Sequence, residues 1–329
     1  MKTIKVKFVD FYSSFNFEES DFMRILKRHF DVVISDDPDF VIYSCFGYQH
    51  LKYDCVRIFY TGECITPDYN VCDYAIGFDY MTFQDRYCRV PLYLLFQYKA
   101  DYEMALQKHL RADSIAQEDR VFCCMVVSND NAQNARKEIF EVCSTYHKVD
   151  SGGRYLNNIG HTVKDKNAFQ SQYKFSIAFE NCVSDGYTTE KLLQSFAAGN
   201  IPIYYGNPQI GSEFNERAFI NCHNFKDFEE VLEYIRKIDN DEELYRSILR
   251  EPIQHGDEPY IAQENAFEEF LYHIFDQSPE AARRRPCNTY LSAVEKDRRI
   301  AGIYNKYWGR YVQYLTSTIR RIKNGAFWR

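Results

Sequence analysis

The sequence predicts an α/β chain built from two Rossmann-like domains. Three observations predict it. A length of 329 residues suits two domains of ordinary size. Short apolar runs alternate with segments whose apolar residues recur at helical spacing, the pattern of strands joined through helices. The stretch from Phe175 to Gly206, FSIAFENCVSDGYTTEKLLQSFAAGNIPIYYG, reads as strand, loop, helix and strand, a complete βαβ unit. A composition that is 45% hydrophobic and 26% charged belongs to a globular chain with a substantial core. The net charge of −7 argues against general nucleic-acid binding.

The elements follow in order. Ile4 to Phe11 reads as the first strand. Glu18 to Phe30 is helical, with Phe22, Ile25, Leu26 and Phe30 on one face. Val32 to Ile34, Phe40 to Ser44, Val56 to Tyr60 and Tyr74 to Gly77 are further short strands. Asp36-Asp37-Pro38-Asp39 has the D-x-D spacing of many metal sites, but aspartates flanking a proline are turn chemistry. Tyr98 to Arg120 is a polar helical connector. A second domain opens with the apolar run Val121 to Val127, followed by a helix from Ala132 to Tyr146. Gly152-Gly153 could admit a phosphate closely, though a plain turn accounts for it. Beyond the βαβ unit, Phe219 to Cys222 is a strand. Asp227 to Ile238 and Asp241 to Leu249 are helices, each with an aspartate available as a cap. The division is 1–117, 118–297 and a tail over 298–329, with no internal repeat.

The central unit concentrates the chemistry. Thr188 or Thr189 can cap a helix whose face is Leu192, Leu193, Phe196 and Ala197, and Gly199 fits the left-handed residue that ends it. In open α/β sheets ligands sit at the carboxyl ends of strands, which is where Glu190 and Lys191 fall. A lysine in a helix's first turn opposes the helix dipole. Together with the backbone N–H groups it would suit a phosphate. A solvated lysine is the ordinary alternative.

Phe179-Glu180-Asn181, Gly186-Tyr187, Thr189-Glu190-Lys191, Ala198-Gly199 and Ile201-Pro202-Ile203-Tyr204-Tyr205-Gly206 resemble the signature of the family-10 glycosyltransferases, the α-1,3/4-fucosyltransferases. The likeness extends to Tyr60-Thr61-Gly62-Glu63, to Asp73 through Asp79 and to Ser171 through Phe175, and covers most of 55–235. It implies the GT-B fold: two Rossmann-like domains facing across a cleft, the first binding the acceptor and the second GDP-fucose, with a C-terminal amphipathic helix.

The resemblance also implies roles. Glu63 matches the proposed general base, Glu190 the carboxylate beside the donor's fucose, and Arg136 an arginine on the diphosphate. A planar, permanently charged guanidinium suits a diphosphate well. Asn181 and Tyr187 match residues near the donor, and Lys191 is assigned to the diphosphate. Tyr173 and Lys174 are further candidates. Each has a plain alternative: a turn glutamate, a helix cap, a solvated helix residue. The implied reaction moves L-fucose from GDP-β-L-fucose to GlcNAc O3 of an N-acetyllactosamine-type, Lewis-type glycan, with inversion. No metal is required by such a scheme, although some relatives are stimulated by manganese. The alternatives are an α-1,4 linkage, another nucleotide-sugar transferase on the same fold, or a non-catalytic GDP- or glycan-binding protein.

Eleven cysteines without regular spacing are expected to be reduced thiols. MKTIKVKFVD lacks a signal peptide's apolar segment, and no run of about 20 apolar residues offers a membrane span. Animal members of the family carry such a span, so the expectation is a bacterial, cytoplasmic enzyme. Arg298 to Arg329 holds eight basic residues and no acidic ones, with aromatics at helical spacing. A basic amphipathic helix of this kind suits an anionic membrane surface, here the inner face of the cytoplasmic membrane. The alternative is a terminal helix packed on the fold.

Overall fold

The computed structural model describes residues 1–128, 134–254, 259–286, 289–309, 311–312 and 314–316. The chain divides into two compact units. The first comprises 1–76, 83–87 and 268–329, and the second 77–82 and 88–267.

The first unit is built on β1 (Lys2–Val9), α1 (Asp21–His29), β2 (Phe30–Ile34), β3 (Phe40–Tyr43), β4 (Val56–Tyr60) and β5 (Tyr74–Gly77), with β6 (Tyr87–Arg89) at the edge. The sheet order is β2-β1-β3-β4-β5-β6. The ladder from β2 through β5 is parallel. β3, β4 and β5 are buried on both faces, which explains their near-continuous apolar runs. The first strand stops earlier than expected because Asp10 turns into the left-handed region at φ 61°. The helix starts at Asp21, not Glu18, because the Ser20 hydroxyl accepts the Met23 N–H and caps it there. β6, three residues long, is too short to carry a periodic signal.

The second unit contains α2 (Lys99–Leu106), α3 (Ala112–Gln117), β7 (Val121–Met125), α4 (Ala135–Ser144), β8 (Val149–Ser151), α5 (Lys166–Gln170), β9 (Tyr173–Phe179), α6 (Glu190–Ala197), β10 (Ile201–Tyr205), β11 (Ile220–Asn221), α7 (Phe228–Asn240) and α8 (Glu242–Arg250). Its parallel sheet runs β11-β10-β9-β7-β8. Alternation along β9 and β10 sorts the core. Phe175, Ile177, Phe179, Ile201 and Ile203 pack with Ile139 of α4 and Val231 and Ile235 of α7. Ala178 and Tyr204 turn to the other face, against Leu192, Leu193 and Phe196 of α6. The aspartate caps hold: Asp227 accepts from Glu230 N–H and Asp241 from Leu244 N–H. Gly199 lies at φ 78°, as its place after α6 required. Gly153 packs so closely on the end of β7 that a Cβ would lie 1.8 Å from the Val127 carbonyl oxygen. That favours the turn reading.

The chain then runs through α9 (Pro259–Asp276) and α10 (Pro279–Ala282) to α11 (Thr289–Tyr304). α11 starts before the expected tail, and its first turns bind the first unit. Arg57 pairs with Glu295 at 2.5 Å, Arg298 with Asp68, and Arg299 donates to the Leu51 carbonyl. Arg310 and residues 317–329 of the expected tail lie outside the described residues, as do 129–133 of the loop before α4. Among the described residues, no helix is long and apolar enough to cross a membrane.

One expectation needs correction. Among the described residues eight cysteines are free, but Cys64 and Cys182 are disulfide-bonded. Seven of the free thiols are buried. Burial pushes those of Cys72 and Cys124 up to about 12, so they stay protonated and inert. Cys64 directly follows Glu63 and Cys182 directly follows Asn181, each in a loop, and spacing could not reveal their oxidation. Disulfides are rare in reducing compartments, so the thiol argument for a cytoplasm no longer stands.

Candidate functional site

The second unit's site forms where β9 ends and α6 begins. Glu180 is the first residue past β9 and its side chain is fully buried. An isolated buried carboxylate would be costly, so its bonds matter. Its Oε1 accepts the Thr189 N–H at 2.8 Å, and its Oε2 accepts the Thr189 hydroxyl at 2.7 Å and the Lys191 ammonium at 2.9 Å. Thr189 is the N-cap of α6, yet its hydroxyl points at Glu180 instead of a helix N–H. Lys191 Nζ also donates to Thr189 Oγ1 at 2.8 Å and lies 3.8 Å from Glu190 Oε1. Among the described residues, two of the ammonium's three N–H groups are thus committed to hydrogen bonds.

The electrostatics follow from these contacts. Burial works against the Lys191 ammonium, but Glu180 and Glu190 outweigh it and hold its pKa above the ordinary lysine value. Burial would raise Glu190, while Lys191 and Lys166 hold its carboxyl below the usual range. Lys166 of α5 donates to Gln194 at 2.8 Å, and burial lowers its pKa. Arg136 of α4 is buried; its Nη2 donates to the Phe179 carbonyl at 2.8 Å and to Asn181 Oδ1 at 2.7 Å. A small cavity beside it is lined by Arg136, Glu180, Asn181 and Tyr205. Three cations (Arg136, Lys166, Lys191) against two carboxylates (Glu180, Glu190) leave one positive charge, which suits a phosphate-bearing ligand.

A second layer fixes the loop between β9 and α6. Glu213 Oε1 accepts from Arg89 at 2.7 Å, Asn207 at 3.0 Å and Thr188 at 3.2 Å, and also from the Tyr80 hydroxyl. Asn207 Oδ1 accepts the Gly186 N–H at 2.9 Å. Gly186 sits at φ 78°, where a Cβ would lie 2.4 Å from the Phe78 carbonyl oxygen. Tyr187 is buried edge-on to Phe78, with ring centroids 4.9 Å apart.

The structure therefore gathers Arg136, Asn181, Glu190 and Lys191 at one end of the second sheet, with Tyr187 in the loop that opens α6. Tyr173 is not among them. It begins β9, about 20 Å of strand from the site, and its hydroxyl donates to Asp150 at 3.0 Å. Lys174, beside it, pairs with Asp239 at 2.8 Å. Sequence reading missed Glu180 as the anchor of Lys191, and it missed Lys166 and Glu213. Only Glu180 carried a signal, as a carboxylate directly after an apolar strand.

In the first unit Glu63 lies on the turn after β4, at the carboxyl end of its sheet. It is exposed. Thr61 Oγ1 accepts its N–H at 3.0 Å and Ile65 N–H donates to its carbonyl at 2.8 Å, so the backbone is fixed while the carboxylate faces solvent. Among the described residues, no group of three or more His, Cys, Asp or Glu could hold a metal ion. The expected D-x-D turn is a turn, with Asp36 paired to Lys7 at 2.5 Å.

Comparisons with known proteins bear on these residues. Residues 6–96 match the family described as Alpha-(1,3)-fucosyltransferase FucT N-terminal domain, and 116–251 match Glycosyltransferase family 10 (fucosyltransferase) C-term. The chain is 32% identical over 296 residues to the alpha-(1,3)-fucosyltransferase FucT of Helicobacter pylori; the match covers 78% of this chain and 61% of that protein. It is 32% identical over 128 residues to the mouse 4-galactosyl-N-acetylglucosaminide 3-alpha-L-fucosyltransferase 9, covering 38% and 35% respectively. A crystal structure of an alpha1,3-fucosyltransferase with GDP-fucose superposes with a TM-score of 0.68 at 27% identity, over 82% of this chain and 90% of that one.

Proposed function

The chain belongs to glycosyltransferase family 10, with the α/β fold of the GT-B class, and we propose that it is an inverting α-1,3-fucosyltransferase. It moves L-fucose from GDP-β-L-fucose to GlcNAc O3 of an N-acetyllactosamine-type glycan. The observation that carries the donor half is the Glu180–Thr189–Lys191 clamp, which aims a charged ammonium from the first turn of α6 at the carboxyl end of a parallel sheet. In the reaction, Lys191 and Arg136 take up the charge growing on the departing GDP, with Lys166 nearby. Asn181 and Tyr187 shape the donor pocket. Glu190 sits beside the fucose and stabilises the oxocarbenium-like charge at the anomeric carbon. Glu63 removes the proton from the acceptor hydroxyl as its oxygen attacks. One displacement turns a β donor into an α product. Its cations come from side chains, so the scheme requires no metal; adding Mn2+ or Mg2+ to the assay tests for stimulation.

The domain roles divide accordingly: acceptor on the first unit, donor on the second. Incubation with GDP-fucose and a panel of type 1 and type 2 acceptors tests the reading. The expected result is α-1,3-fucosylated GlcNAc in the type 2 product. An α-1,4 linkage would redirect the specificity, and absence of transfer to any acceptor would point to a binding protein instead. The membrane part of the reading rests on α11 and the residues after it. Ile300, Tyr304, Trp308 and Tyr311 are 48–61% exposed on one flank of a basic segment, which suits an anionic lipid surface.

A further inference from the structure

The two units share one strand order, and each has a point where that order reverses: between β7 and β9 in the second unit, between β1 and β3 in the first. Ligands of open α/β sheets bind in the crevice at such a point. In the second unit it holds Asn181 and Arg136. In the first, Asp10 and Phe11 follow β1, and Cys45, Phe46 and Gly47 follow β3. These residues line a pocket of about 950 Å³, at the upper end of the range for ligand sites. Its opposite wall is C-terminal, from Arg299 and Ile303 of α11 and from Tyr307. The transfer scheme above assigns this pocket nothing.

Its floor is built rigidly. The buried Asp10 carboxylate accepts Gln49 N–H at 2.9 Å, His50 N–H at 2.9 Å and His50 Nδ1–H at 2.7 Å. A Cβ on Gly47 would lie 2.3 Å from Asp10 Oδ1, so only glycine lets the loop close on that carboxylate. The loop after β3 is thereby pinned to the end of β1. The pocket also adjoins the Glu63 turn. Cys45 Sγ lies 3.3 Å from Thr61 Oγ1, the oxygen that accepts the Glu63 N–H. The rings of Phe11 and Tyr60 stack with centroids 6.5 Å apart.

The lining has a definite chemistry. Phe46 and Tyr48 are 50% and 39% exposed and offer aromatic faces to sugar rings. Lys52 and Arg299 offer positive charge. Among the described residues of the lining, Asp10 is the one carboxylate, and its oxygens are bonded inward. We propose that this pocket holds the acceptor glycan and selects acceptors bearing an anionic group, a carboxylate or a phosphate, near the sugar that receives fucose. The inference rests on the fucosyl-transfer reading.

The test uses the full chain, GDP-fucose and three acceptors: a neutral N-acetyllactosamine glycan, the same glycan carrying a carboxylate sugar, and the same glycan carrying a phosphate. One anionic acceptor should exceed the neutral one in kcat/KM by about tenfold at low salt, through KM, as a charge-assisted hydrogen bond allows. That arm identifies the anion. Lys52→Gln and Arg299→Gln should each shrink the ratio toward one. Arg299 also bonds the Leu51 carbonyl, so if Arg299→Gln fails to fold, the exposed Lys52 decides. Equal kcat/KM for all three acceptors, or a ratio unchanged in Lys52→Gln, overturns the proposal. If no acceptor is fucosylated, the transfer reading fails separately. Calorimetry of the same glycans without donor then judges the pocket: tighter binding of an anionic glycan that is lost in Lys52→Gln upholds it, and equal binding overturns it.

Discussion

Asp73 and Glu180 are both carboxylates with no side-chain exposure, and each pairs with a cation. Asp73 sits at the amino end of the first sheet, just before β5. It accepts the backbone N–H groups of Arg57, Arg284 and Arg285 and pairs with the Arg285 guanidinium at 3.0 Å. Arg285 is itself buried, so this cluster ties the returning C-terminal chain to β4 and offers nothing to a ligand. Glu180 sits at the carboxyl end of the second sheet. Its partner Lys191 keeps 15% side-chain exposure. The same device is structural at one end of a parallel sheet, and at the other it carries the proposed donor site. The difference lies in whether the cation can still reach solvent.

The comparison breaks most visibly if Asp73 is removed. Asp73→Ala leaves the buried Arg285 uncompensated and should cost about 3–5 kcal/mol of stability, read by denaturant unfolding. GDP affinity of the molecules that remain folded should be unchanged. A loss of GDP affinity without a loss of stability would reverse the roles assigned to the two carboxylates.

Lys191→Ala gives the converse pattern. GDP and GDP-fucose binding should weaken alike, by about 1.5–3 kcal/mol in calorimetry. Unchanged GDP affinity would put the diphosphate elsewhere.

Lys108 sharpens the contrast with Lys191, because it is a buried lysine without a buried carboxylate bonded to it. Its ammonium donates only weakly, at 3.4 Å, to the Ile248 and Leu249 carbonyls ending α8, and burial pulls its pKa down to about 7. A folded pKa below the unfolded one means the unfolded chain holds the extra proton between pH 7 and about 10.5. Lys108 therefore contributes stability that rises with pH across that window and is absent below it. Lys108→Met should flatten the difference in unfolding free energy between pH 6.5 and pH 9. An unaltered difference would mean that the ammonium stays charged in the fold.

The smallest effect belongs to the tail. Each basic residue near an anionic leaflet adds about 1 kcal/mol, screened within a Debye length. Sedimentation with anionic vesicles should weaken as salt rises and fall on removal of residues 317–329, with turnover retained. Full-length protein that stays in the supernatant at low salt would end the membrane proposal.

Much of this was legible in the sequence for a physical reason. Buried parallel strands are continuous apolar runs, so β4, β5 and β10 appear at their observed bounds. Caps are local, so Asp227 and Asp241 marked α7 and α8. Lys191 was legible because it broke a local rule. What the sequence hid was long-range. The Glu180–Lys191 pairing depends on a turn that folds residue 189 back on residue 180. Lys166 and Glu213 reach the site from separate loops. Tyr173 was drawn in by its neighbours in the chain, although a strand of seven residues carries its two ends far apart.

The central claim is that the two sheets' carboxyl ends divide the labour, with the base on one and the donor on the other. Glu63→Gln tests it most directly, with turnover and GDP affinity measured on the same preparation. The account predicts that kcat falls by about 10²-fold or more while the calorimetric GDP affinity matches the unsubstituted chain. Turnover near the original level, or a GDP affinity lost together with turnover, would contradict it.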